Sequence, residues 1–134
     1  MRNPLKVDVI RDRGTLAREA APGVIENVYR LQLMNTDEKA RELVIRAEGL
    51  PGLRVVGVEQ PIALGAGATK LVALRLQAVL DGNAESDARS KREHNEHDQQ
   101  DELSPGTHKI EFIVQAVGNE KVARHEKSSF IIPR

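Results

Sequence analysis

The chain has 134 residues, 40% hydrophobic and only 2% aromatic, and its 20 basic and 20 acidic side chains cancel to a net charge of zero. This length suits one domain with a core of Val, Leu, Ile and Ala. Scarce aromatics argue against a stacking platform for bases or sugar rings, and balanced charge leaves no strong field to hold nucleic acid or an anionic membrane. With no cysteine, a disulfide framework, a thiolate nucleophile, iron–sulfur ligation and Cys-type zinc sites are excluded.

No apolar run approaches the roughly 18 residues of a membrane span, and the basic N-terminus lacks a signal-peptide core. The chain is therefore expected to be cytosolic or a soluble part of something longer. Met1 followed almost directly by Leu5-Lys6-Val7-Asp8-Val9 fits the second. In that run Leu5, Val7 and Val9 alternate with polar neighbours, the two-residue period of a half-buried strand. Arg11-Asp12-Arg13-Gly14 turns the chain, 16–19 reads as a short edge piece, and Ala21-Pro22-Gly23 turns it again.

The clearest strand follows, with Tyr29, Leu31 and Leu33 alternating with Arg30 and Gln32. Asn35-Thr36-Asp37 breaks it, and Leu43, Ile45 and Ala47 set up the next one, which closes on Glu48-Gly49-Leu50-Pro51-Gly52. Residues 53–58 read as a strand, and Pro61-Ile62-Ala63-Leu64 as a connection into the Gly65-Ala66-Gly67 turn. A long strand over 68–78 has Val72, Leu74 and Leu76 on its expected inward side.

Residues 81–103 differ in kind. Eight acidic side chains (Asp81, Glu85, Asp87, Glu93, Glu96, Asp98, Asp101, Glu102) face three basic ones (Arg89, Lys91, Arg92) there. Little apolar surface is present to offset the entropy of ordering, so a disordered insertion is expected. Ser104-Pro105-Gly106 restarts order. His108, Ile110, Phe112, Val114 and Ala116 then form a strand, 117–121 a hairpin turn and 122–132 the return strand. About seven strands with frequent turns and no strong helix predict one all-β domain over 1–134, an immunoglobulin-like antiparallel sandwich. Its expected core includes Tyr29, Leu31, Leu33, Ile110, Phe112 and Val114.

Pro4-Leu5-Lys6-Val7-Asp8-Val9-Ile10-Arg11-Asp12-Arg13, followed by Ile25-Glu26-Asn27-Val28-Tyr29 and Glu48-Gly49-Leu50-Pro51-Gly52, resembles the C-terminal domain of the FixG/CcoG (RdxA) family. Pro105-Gly106-Thr107-His108 and the 128–133 end also fit, so the similarity covers nearly the whole chain. These are bacterial cytochrome c oxidase accessory proteins. The resemblance implies a parent with several inner-membrane spans and ferredoxin-like clusters on the cytoplasmic side, with this immunoglobulin-like domain on the periplasmic face. It further implies support for assembly of the cbb-type terminal oxidase through copper reduction. The family's catalytic motifs are cysteines, which this chain lacks, and the 81–103 insertion looks longer than the usual family loop.

Candidate sites are few. His94-Asn95-Glu96-His97-Asp98 gathers ligand types, and capping-box spacing at Ser90-Lys91-Arg92-Glu93 would put His94 and His97 on one face of a short helix. A solvated loop is the simpler reading, since loose carboxylates and two His form an unselective site. Gly65-Ala66-Gly67 lacks the lysine and following helix of a phosphate loop and reads as a turn. His108 and His125 should lie on neighbouring strands, where hydrated side chains are simpler than a pH switch. Arg11-Asp12-Arg13 is either a solvated turn or a contact with a parent membrane domain, given the fit of Arg forks to carboxylates.

No catalytic, cofactor-binding or metal residue is assigned, and the chain reads as a non-enzyme. The expected role is a periplasmic interaction domain of a membrane-anchored polyferredoxin accessory protein, with a protein partner and no nucleic acid. The alternatives are a free-standing extracytoplasmic adhesion or ligand-binding sandwich, and a weak copper carrier using the His94/His97 loop.

Overall fold

Period-two alternation leaves each strand with one apolar face, and two such sheets bury those faces against each other. The computed structural model describes residues 3–10, 17–80 and 104–133. Nine strands are seen there: β1 (Leu5–Ile10), β2 (Arg18–Ala21), β3 (Val24–Asn35), β4 (Arg41–Glu48), β5 (Arg54–Val56), β6 (Ile62–Leu64), β7 (Thr69–Val79), β8 (Gly106–Ala116) and β9 (Asn119–Ile132). The first sheet runs β1-β3-β7-β5, with β2 also on β3, and the second runs β6-β4-β8-β9. All pairings are antiparallel.

The all-β sandwich expected from the sequence is thus found, and its strand count is higher. The edge piece near residue 18 is β2, which covers the first half of β3 while β1 covers the second. Ile62–Leu64, read as a connection, is β6 and pairs with Arg41, Glu42 and Leu43. Three residues are too short to show a period. The strand expected over 53–58 shrinks to Arg54–Val56, beyond which Gly57 takes φ 86°.

The inner faces meet where alternation placed them. Tyr29, Leu31, Leu33, Ile110, Phe112 and Val114 are all buried, as are Val72, Leu74 and Leu76. Leu71, in the opposite phase of β7, is exposed. Tyr29 and Phe112 meet edge to face at 5.1 Å between ring centroids, a favourable aromatic geometry. Asn35 ends β3 inside the fold: its Nδ2 donates to the carbonyls of Lys39, Leu64 and Gly65. Its Oδ1 accepts the Asp37 N–H. This side chain therefore anchors the link by which the chain crosses from the first sheet to the second.

Candidate functional site

A carboxylate on the outward side of a strand normally faces water, so the burial of Glu26 needs a cause. Only 2% of it is exposed, although it lies in the outward phase of β3. Register supplies the explanation. Arg18 on β2 stands opposite Glu26, Glu26 opposite Gln77 on β7, and Gln77 opposite Arg54 on β5. Directly opposed residues lie about 5 Å apart, so four long side chains in one row must meet.

They meet as a continuous polar chain. Arg18 donates from Nε to Glu26 Oε1 at 3.0 Å, with Nη2 also at 3.0 Å from that oxygen. Gln77 Nε2 donates to Glu26 Oε2 at 2.9 Å, and Arg54 Nη2 donates to Gln77 Oε1 at 3.2 Å. The Gln77 amide thereby uses its donor on the carboxylate and its acceptor on the guanidinium. Arg75, one row along, brings Nη1 to 3.6 Å from Glu26 Oε2. Burying a carboxylate is costly unless it is paired and hydrogen-bonded, and this one is both. The Gln77 hydrogen bond, followed by Arg18, holds its pKa below the ordinary value against the opposing effect of burial.

The guanidiniums are held but not covered. Arg18 is 67% exposed and Arg75 43% exposed. Gly57 packs against Arg75: a Cβ there would lie 3.0 Å from Nε and 3.1 Å from Nη2. Three guanidiniums against one carboxylate leave this patch with a surplus of positive charge. Chemically it can receive anions through planar forks; it carries no nucleophile–base pair.

None of these residues was singled out in the sequence as a site. Glu26 read as part of a strand, and only register brings β2, β5 and β7 to its sides. The sequence-derived candidates lie elsewhere. Gly65-Ala66-Gly67 turns the chain from β6 to β7, with Ala68 N–H donating to Gly65 O. His108 is opposite Phe130, and His125 opposite Ile113, so these histidines stand five positions apart along the hairpin. Nε2 of His108 contacts the carbonyl of Ser104 at 2.6 Å, and Nδ1 of His125 is 3.6 Å from Glu111. Arg11-Asp12-Arg13, His94, His97 and the 81–103 insertion lie outside the described residues. Among the described residues, no group of three His, Cys, Asp or Glu side chains is placed to hold a metal ion.

A family model described as "IG-like fold at C-terminal of FixG, putative oxidoreductase" matches residues 1–133. Among solved structures, the chain is similar to a FixG-related protein from Vibrio parahaemolyticus, at 23% identity over 97% of both chains and a TM-score of 0.67. A protein from Archaeoglobus fulgidus gives 14% identity over 96% of this chain and 97% of that one, at a TM-score of 0.41. A search of curated proteins finds no match.

Proposed function

Starting from the fact that this chain belongs to the family of immunoglobulin-like domains at the C-terminus of FixG, we propose that it is a non-catalytic interaction module of a membrane-anchored polyferredoxin accessory protein. In this reading it stands on the periplasmic face and contacts a protein partner during assembly of a cbb-type oxidase. The partner is either the parent's own membrane portion or an assembly component.

The observation that carries the interaction role is the Arg18–Glu26–Gln77–Arg54 row, a preorganised patch rich in guanidiniums on an otherwise ordinary sheet. Such a patch suits recognition, since arginine is enriched at protein interfaces and fixed donors lose little entropy on binding. The family description assigns the oxidoreductase character to FixG. A chain without cysteine supplies no thiolate ligand for the iron–sulfur clusters that such chemistry would use.

Deleting this domain from the full-length protein tests the reading. The expected result is reduced cbb-type oxidase with the parent's iron–sulfur clusters still loaded. Normal oxidase levels would remove the assembly role. Sub-micromolar copper(II) binding by the chain, lost on changing His94 and His97 to Ala, would replace the passive module with a copper carrier.

A further inference from the structure

The interaction-module reading leaves the partner's chemistry open, and the outer face of the first sheet narrows it. We infer that this face docks an acidic, extended protein segment, whose carboxylates are received by Arg54 and Arg75. The inference rests on the interaction-module reading and makes it specific.

Arg18 directs both Nε and Nη2 at Glu26 Oε1, so much of its fork is already used. Arg54 donates to a neutral oxygen, Gln77 Oε1, and Arg75 reaches Glu26 only at 3.6 Å, beyond a good hydrogen bond. Each guanidinium has five N–H donors in a planar fork that matches a carboxylate in bidentate fashion. Arg54 therefore keeps donors beyond its one bond to Gln77, and Arg75 adds a 43% exposed side chain beside it, while Glu26 neutralises a single charge of the three.

Spacing narrows the choice further. Arg54 stands opposite Gln77 and Arg75 opposite Val56, which makes the two arginines diagonal neighbours on β5 and β7. Diagonal positions lie about 7–8 Å apart. Side chains on one face of an extended segment repeat at about 7 Å, so carboxylates two residues apart would reach one fork each. Val28 and Val56 flank Arg75 in its own row, both only partly exposed, and offer apolar contact between the charged positions.

Charge and preorganisation favour a protein over a lipid surface. A basic residue near an anionic membrane contributes about 1 kcal/mol through its charge alone. Here Gln77, itself held by the Glu26 carboxylate, orients Arg54, and Gly57 backs Arg75, so orientation is specified as well as charge. Orientation matters for a carboxylate and little for a diffuse anionic surface.

The test titrates the isotope-labelled 134-residue chain with the peptide Glu-Val-Glu-Val-Glu and, separately, with phosphatidylglycerol vesicles. Peptide binding should perturb Arg54, Arg75 and Gln77 resonances and weaken as salt is raised. Arg54→Gln, and Arg75→Lys with its charge retained, should each weaken binding about fivefold, the equivalent of one exposed ion pair, while Lys109→Gln on the second sheet leaves it unchanged. Thermal melts of each variant verify folding. Equal affinity across the variants would overturn the inference, as would binding to vesicles but not to peptide. The same substitutions in the full-length protein separate the two levels of argument. If domain deletion lowers oxidase while Arg54→Gln and Arg75→Lys do not, the acidic-segment inference fails alone; if deletion itself has no effect, the underlying reading fails.

Discussion

Asn27 binds the backbone of Ile131 as another peptide group would. Its Nδ2 donates to Ile131 O at 3.0 Å and its Oδ1 accepts from Ile131 N at 2.9 Å, across 104 residues of sequence. β9 is the outer strand of its sheet, and such a strand leaves a row of bare N–H and C=O groups. Side chains of the first sheet and of a residue ahead of β1 cover several of them: Tyr29 Oη donates to Ser129 O at 2.6 Å and Asn3 Nδ2 to Ala123 O at 2.6 Å. The other side of the same sheet is treated alike, with Gln60 Oε1, just ahead of β6, accepting from Ile45 N. Side-chain amides thus close the sandwich along its seams.

Replacing Asn27 with Ala leaves two backbone groups of Ile131 unpaired in a nearly buried site. The expected loss is about 2–4 kcal/mol, taking each unsatisfied group at the lower end of its penalty. Urea unfolding monitored by Tyr29 fluorescence measures it. A loss under about 0.5 kcal/mol would place this contact among those that water replaces freely.

Tyr29 has two jobs that separate by substitution. Tyr29→Phe keeps the edge-to-face contact with Phe112 and removes the hydroxyl bond to Ser129, so it should cost about 1 kcal/mol. Phe112→Ala empties a fully buried position between the sheets and should cost about 3–5 kcal/mol. Equal losses for the two, measured by calorimetry, would contradict the division.

Glu26 gives a pH signature. Its folded pKa is depressed, first by Gln77 and then by Arg18. The folded state thus favours the carboxylate, and its contribution is fully present above the ordinary pKa of 4.5 and lost as pH falls through the lower folded value. The stability gap between the natural chain and Glu26→Gln should be constant near neutrality and narrow below about pH 4.5. Asp37, depressed first by the Arg41 guanidinium and then by the Glu38 N–H, adds to the same acid limb. Asp37→Asn in the same background separates the two, and a gap that widens in acid would overturn the assignment.

The parts of this molecule written in alternation were readable from sequence, and those written in register were not. Tyr29, Leu31 and Leu33 declare their inward phase by themselves because the residues between them, Arg30 and Gln32, are polar. Arg18, Glu26, Gln77 and Arg54 carry no common sequence signal; they form a site only because β2, β3, β7 and β5 place them in one row. β9 misleads in the opposite direction. Arg124, Glu126 and Ser128 share the phase of the buried Val122 and Phe130, opposite Val114, Phe112 and Ile110. Its inner face is half polar because the strand lies at the rim of its sheet. The Ile25-Glu26-Asn27 string that carried the family resemblance proves to hold three tasks in a row: core packing, the polar patch and the seam to β9.

The Glu48-Gly49-Leu50-Pro51-Gly52 turn, the other stretch shared with the family, yields the sharpest steric test. Gly49 takes φ 131° and lies against the backbone of β8, where a Cβ would fall 2.7 Å from Lys109 O and 2.8 Å from Ile110 Cα. β8 is held on both sides, by β4 and β9, and cannot give way. Gly49→Ala therefore combines overpacking of about 1–3 kcal/mol with backbone strain of about 1–3 kcal/mol. Gly52, three residues on, takes φ 69° but has nothing within 4 Å of its would-be Cβ. Gly52→Ala should then show only the left-handed penalty, about 1–2 kcal/mol. Paired thermal melts decide the matter: Gly49→Ala should fall well below Gly52→Ala or fail to yield folded protein. Equal melting temperatures would mean that the turn can move away from β8, and that Gly49 is needed for its backbone angle alone.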